Sequence, residues 1–227
     1  MKSFDLSTVA QSYKDAFSKY GHDPRSLFWL KGRQGLRFQV LCEMGIGQDS
    51  SVMDVGCGFG DFFHYLVERF PNFSGKYLGI DILEEFIREC RSSINDPRAE
   101  FEVWDLLKTD RDETRSYDYV VASGTFNLRI GDNHKDFVKA MLEKMFQLCV
   151  KGVAVNFMST YVDYSNESSF HASPEEMFAL AKSFTKRVSL RHDYMPYEFT
   201  IYVYKDDRIA ENNVFRDYLW ISEKDLH

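Results

Sequence analysis

From residue 51 onward the apolar positions follow two alternating spacings. Short, nearly continuous runs at 52–55, 76–80, 100–104, 117–122 and 152–158 predict strands buried on both faces. Between them the apolar residues recur at helical intervals. Phe62, Phe63, Leu66, Val67 and Phe70 predict a helix over 61–70 that Pro71 stops. Phe86, Ile87, Cys90 and Ile94 share one face of a helix over 83–94, and Phe137, Met141, Met145 and Leu148 one face of a helix over 136–150. Ser173-Pro174-Glu175-Glu176 opens another helix, with Ser173 as N-cap, Pro174 in the first turn and Glu176 reaching back. Runs at 188–192 and 199–204 predict two last strands, with a turn through Met195-Pro196 between them. Residues 193–198 are too few for a parallel crossover, so this pair is antiparallel.

Alternating strands and helices predict an α/β chain with a doubly wound, seven-stranded sheet, mostly parallel and ending in an antiparallel hairpin. Residues 1–47 read as a helical, polar-aromatic segment carrying Tyr13, Phe17, Tyr20, Phe28 and Trp29. Residues 206–227 are charged, with scattered aromatics. No linker splits the chain, so 1–227 is expected to be one domain: an N-terminal segment (1–47), a core (51–204) and a C-terminal extension (206–227).

Composition narrows the chemistry. A net charge of −7 argues against a partner bound by phosphate neutralisation, and so against nucleic acid. Cys42, Cys57, Cys90 and Cys149 lack metal-ligand spacing and read as reduced, buried thiols; no metal is called for. There is no signal-peptide pattern and no apolar run long enough for a bilayer. A cytoplasmic protein away from membranes is expected.

The densest chemical signal is Val52-Met53-Asp54-Val55-Gly56-Cys57-Gly58-Phe59-Gly60-Asp61. A strand runs into alternating glycines and then a helix. Glycine lets the backbone turn sharply and approach a ligand closely, and a helix N-terminus presents N–H groups. The spacing is G-x-G-x-G after an acid, not the dinucleotide fingerprint G-x-G-x-x-G. Farther on, Asp81 ends the second predicted strand, where a carboxylate accepts both hydroxyls of a ribose or caps the next helix.

With these motifs, residues 51–204 resemble the class I S-adenosylmethionine (SAM)-dependent methyltransferases, whose Rossmann-like sheet carries an acid followed by G-x-G-x-G. The resemblance implies SAM as cofactor, with Asp54, Gly56, Cys57, Gly58, Asp81, Ile82 and Ser123 around it. It places Asp105 at the adenine amine and Leu106 against the ring, although Asp105 also reads as a plain loop-starting acid. Ser123-Gly124-Thr125-Phe126 stands where enzymes that methylate base amines often carry Asn/Asp-Pro-Pro-Tyr/Phe, a departure that argues against a nucleic-acid enzyme. Cys149 lacks the Pro-Cys context of a cytosine C5 enzyme, and Val150-Lys151-Gly152 keeps only part of the family's Leu-Lys-Pro-Gly-Gly.

Tyr13, Gln34 and Arg37 are candidates for the methionine carboxylate or for closing over the cofactor, Arg37 by charge pairing. Phe126, Tyr161, Tyr164, Tyr194 and Tyr197 are expected to border an acceptor pocket. His134 and His171 are candidate proton acceptors, against the plainer reading that a lone histidine is structural. The resemblance implies in-line attack of an acceptor O or N atom on the sulfonium methyl. The rival readings are an NAD-dependent oxidoreductase and a non-catalytic SAM-fold partner protein.

Overall fold

A computed structural model describes residues 4–28, 32–108, 115–163 and 165–206. In chain order the elements are α1 (Ser7–Tyr20), a short 3-10 turn (Pro24–Leu27), α2 (Gln34–Cys42), β1 (Val52–Val55), α3 (Asp61–Arg69), β2 (Tyr77–Asp81), α4 (Glu84–Ser93), β3 (Ala99–Val103), β4 (Tyr117–Ala122), α5 (His134–Leu148), β5 (Cys149–Met158), α6 (Pro174–Lys182), β6 (Val188–Met195) and β7 (Glu198–Tyr204). Candidate residue Tyr164, and all of the C-terminal extension except Asp206, lie outside the described residues.

The sheet runs β3-β2-β1-β4-β5-β7-β6, parallel except where β7 pairs antiparallel with both β5 and β6. It is the doubly wound sheet with a terminal hairpin that the alternation predicts. The hairpin is tight: Met195 pairs with Glu198, leaving only Pro196 and Tyr197 in the turn. Strand order reverses between β1 and β4, and such a switch point opens a crevice at the strands' carboxyl ends.

Period-2 side-chain alternation explains why the central strands read as continuous apolar runs. Met53, Val120, Ala122, Val153 and Val155 face a core built with α5 and α6. Val52, Val121 and Ala154 face a second core built with α2, α3 and α4.

Most boundaries fall within a residue of the expected spans, and a few starts or ends move farther. Helix α5 starts at His134, two residues early; β5 begins at Cys149, within the predicted helix; β6 extends to Met195. Ser173 caps α6 by accepting the Glu176 N–H at 3.1 Å, but the Glu176 carboxylate does not reach back. It pairs instead with Lys135 at 2.7 Å, and Glu175 accepts the Ser173 hydroxyl at 2.7 Å.

Candidate active site

The crevice is built from the β1 loop outward. Gly56 and Cys57 both donate backbone N–H bonds to the Ile80 carbonyl, at 2.8 and 3.0 Å, which ties the loop to β2. Gly56 has φ +76° and Gly58 φ +57°, left-handed values that L side chains rarely adopt. A Cβ on Gly56 would lie 2.6 Å from Thr125 Oγ1, and one on Gly58 3.2 Å from Leu27 Cδ1. The glycines thus leave room for the β4 loop on one side and the 3-10 turn on the other.

Asp81 ends β2 and holds two backbone groups at once. Its Oδ2 accepts the Gly58 N–H at 3.2 Å and its Oδ1 the Leu83 N–H at 3.0 Å, just before α4. Burial pushes its carboxyl up to about 6, against the pull of the backbone bonds from Leu83, Gly58 and Ile82. Asp81 thus holds the chain just before α4, without a side-chain cap bond to the helix itself, and it lines the crevice beside the glycine loop.

Asp54 is buried within β1 and accepts the Tyr77 hydroxyl at 2.7 Å. Burial pushes it up to about 7; the Tyr77 bond opposes this, and Asp81 and Asp61 add to it. The ordinary value is 3.8, so the folded state takes up a proton that the unfolded chain releases near pH 4. The stability from this protonated acid is full below the unfolded value and is lost as pH rises through about 7. Asp54→Asn keeps an acceptor for Tyr77 without the titration. Between about pH 5 and about pH 8 the thermal midpoint of the ligand-free variant should fall less than that of the parent. Parallel midpoint curves would mean that the carboxyl is hydrated.

Other candidates converge on the same cavity of about 1050 Å³, its mouth included: Tyr13, Gln34, Cys57, Ile82, Asp105, Leu106 and Ser123. Asp105 accepts the Leu107 N–H at 3.2 Å and pairs with Lys108 at 3.3 Å. Gln34 donates to Asp61 Oδ2 at 3.0 Å, joining α2 to the start of α3. The Tyr13 phenol is pushed well up, by burial first and by Asp81 second.

Some lining and supporting residues escaped the sequence reading. Buried Asn156 in β5 donates to Ser123 Oγ at 3.1 Å and accepts the Gly124 N–H at 2.9 Å, so it shapes the loop after β4. Thr125 Oγ1 donates to the Val55 carbonyl at 2.7 Å and pins that loop to β1. A lone Asn inside the apolar run 152–158 was the available signal for the first. Nothing local marked Leu27.

Other candidates are placed elsewhere. Arg37 does not line the cavity; its guanidinium forms a bidentate pair with Glu198, joining α2 to the hairpin. Phe126 is core, stacked on Phe157 at 5.5 Å. Tyr194 bonds Thr200 at 2.8 Å, Tyr197 donates to Asp163 at 2.7 Å, and exposed Tyr161 bonds Glu175. None of the four is among the described residues lining the cavity.

The two histidines also lie away from the cavity. His134 is buried, with its ring 4.0 Å from that of Phe170, and its Nδ1 accepts the Ile130 N–H at 3.2 Å. Burial, helped by Arg129, holds it down at about 4, which keeps it neutral at pH 7. His171 packs its Nδ1 2.9 Å from the Ser159 carbonyl. Neither lines the cavity.

Comparison with known proteins agrees with this geometry. A family model described as a methyltransferase domain matches residues 52–152. Rv1506c of Mycobacterium tuberculosis, a chain named as a methyltransferase, is 34% identical over 161 residues, covering 68% of this chain and 93% of its own. The SAM-bound magnesium protoporphyrin IX methyltransferase of Synechocystis PCC 6803 superposes with a TM-score of 0.62 at 16% identity, covering 91% of this chain and all of the other. The plantazolicin methyltransferase, crystallised with a triazolic desmethyl plantazolicin analogue and S-adenosylhomocysteine (SAH), gives 0.61 at 14% identity over 88% and 98% of the two chains. The chain belongs to the class I SAM-dependent methyltransferases.

Proposed function

We propose that this enzyme methylates an O or N atom of a small-molecule acceptor bound beside the loop after β4. The observation that carries the reading is the convergence of Gly56, Gly58, Asp81, Asp105 and Ser123 on one cavity at the sheet's switch point. In this reading Asp81 takes the ribose hydroxyls, Asp105 the adenine amine, and Ile82 and Leu106 the two faces of the ring. Asp54 and the Gly56–Cys57–Gly58 turn hold the methionine end. Tyr13 and Gln34 close over it from the N-terminal segment, which works as one domain with the 51–204 core.

SAM supplies an already activated methyl group, so what the chain contributes is alignment of donor and acceptor. Backbone anchoring suits that role, since Thr125 and Asn156 lock the β4 loop that the acceptor approaches.

A small acceptor is favoured over nucleic acid on charge. The chain carries −7, and among the described residues lining the cavity none is Lys, Arg or His. No helix of the described residues is long and apolar enough to cross a membrane. Among the structural neighbours, one acts on a porphyrin and another on plantazolicin, so the fold itself leaves acceptor class open. The test is transfer from methyl-labelled SAM to a metabolite panel and, in parallel, to mixed RNA and DNA. Label in one or more metabolites is expected. Label in nucleic acid with none in any metabolite would overturn the acceptor reading.

A further inference from the structure

The cavity has two chemically different halves. Its carboxylates, Asp54, Asp81 and Asp105, all come from the carboxyl-terminal side of β1, β2 and β3. A second group of lining residues, contributed by other elements, is wholly apolar: Leu6 and Val9 from α1 and its approach, Leu128 and Ile130 after β4, and Phe137 and Met141 from α5. A ring contact of 5.5 Å between Phe4 and Phe137 pins the start of α1 against α5 and sets this wall in place. Leu6, Val9, Leu128 and Ile130 are each only half-buried by the protein although they face the cavity. Uncovered aliphatic surface gains free energy when a ligand removes it from water.

The cofactor's polar groups, its ribose hydroxyls and adenine amine, find their partners on the acidic half. The apolar wall is left for another molecule. That molecule meets no cation among the described lining residues. An anionic group brought into such a space loses hydration and gains no counter-charge.

We propose that the wall formed by Leu6, Val9, Leu128, Ile130, Phe137 and Met141 is the acceptor subsite, and that it takes an acceptor with an apolar body and no anionic group. The proposal rests on the reading of the acidic half as the SAM site. It excludes phosphorylated, sulfated and carboxylated acceptors.

Two fluorescent probes with one ring skeleton test it. N-phenyl-1-naphthylamine is neutral; 8-anilinonaphthalene-1-sulfonate adds one anionic group. Each is titrated into the SAH-saturated protein. The neutral probe should bind at least about tenfold more tightly, the scale of one poorly compensated charge at a partly hydrated site. Val9→Lys, and Ile130→Lys on the facing segment, should each weaken the neutral probe and narrow or reverse the preference. Their SAH affinity by calorimetry should stay within about twofold of the parent. Equal binding of the two probes, or no effect of either variant, would overturn the subsite. So would a loss of SAH affinity matching the loss of probe, because the wall would then belong to the cofactor. Failure of the parent protein itself to bind SAH is a separate result, and it would strike the underlying SAM-site reading instead.

Discussion

A Gly58→Val protein is expected to stay folded and to lose SAH binding by about a hundredfold or more, roughly 2.7 kcal/mol. Gly58 has φ +57°, where a β-branched residue is strained by roughly 1–3 kcal/mol. Its new Cβ would also stand 3.2 Å from Leu27 Cδ1. The Cβ is aimed at Leu27. Leu27 has to give by only a few tenths of an ångström, but relief of the left-handed φ requires the loop to rotate. Rotation breaks the bond from Gly58 N–H to Asp81 and moves the carboxylate assigned to the ribose. The fold should survive, because the strain is confined to a loop at the cavity edge. Circular dichroism and calorimetry on one preparation check both halves. Parent-like affinity would show that the loop does not cradle the cofactor.

Arg37→Ala should act on stability instead. The pair with Glu198 is largely withdrawn from water, with side-chain exposures of 10% and 15%. Removing Arg37 leaves a half-buried, uncompensated carboxylate, which should cost about 2–3 kcal/mol, below the roughly 3–5 of a fully buried pair. The pair bridges residues 161 apart in sequence, so its loss also loosens α2 from the β6–β7 hairpin. Urea unfolding should show a lower midpoint at unchanged slope. Replacing both Arg37 and Glu198 by Met should recover much of the loss, because no lone charge remains. SAH affinity of the alanine variant should barely change. A large drop in affinity with parent-like stability would return Arg37 to the cofactor role that its charge first suggested.

The two variants mark where local sequence stops being informative. The β1 run and the glycine turn were legible because their causes are local: a strand buried on both faces must be apolar, and left-handed φ values favour glycine. Asp81 was legible for the same reason, as an acid at a strand end beside that turn. Arg37 was not, because its partner is fixed only when the hairpin folds back beside α2. The placement of the aromatics was hidden for a different reason. Aromatic content says that a ring is buried or stacked, not which side of the sheet receives it. Phe126 went to the core, and Tyr161, Tyr194 and Tyr197 found hydroxyl partners away from the cavity. His134 was open to better reading. Starting the helix two residues earlier places it three, four and seven positions before Phe137, Val138 and Met141, on the buried face.

The most direct test of the account is calorimetric titration of the protein with SAH and, in parallel, with NAD, repeated on Asp81→Ala. SAH should bind and NAD should not. The variant should stay folded and lose roughly 1.5–3 kcal/mol of SAH binding, the scale of hydrogen bonds to a charged group. No heat with SAH, binding of NAD in its place, or an unchanged SAH affinity in the folded variant would contradict the placement of the cofactor across Gly58 and Asp81.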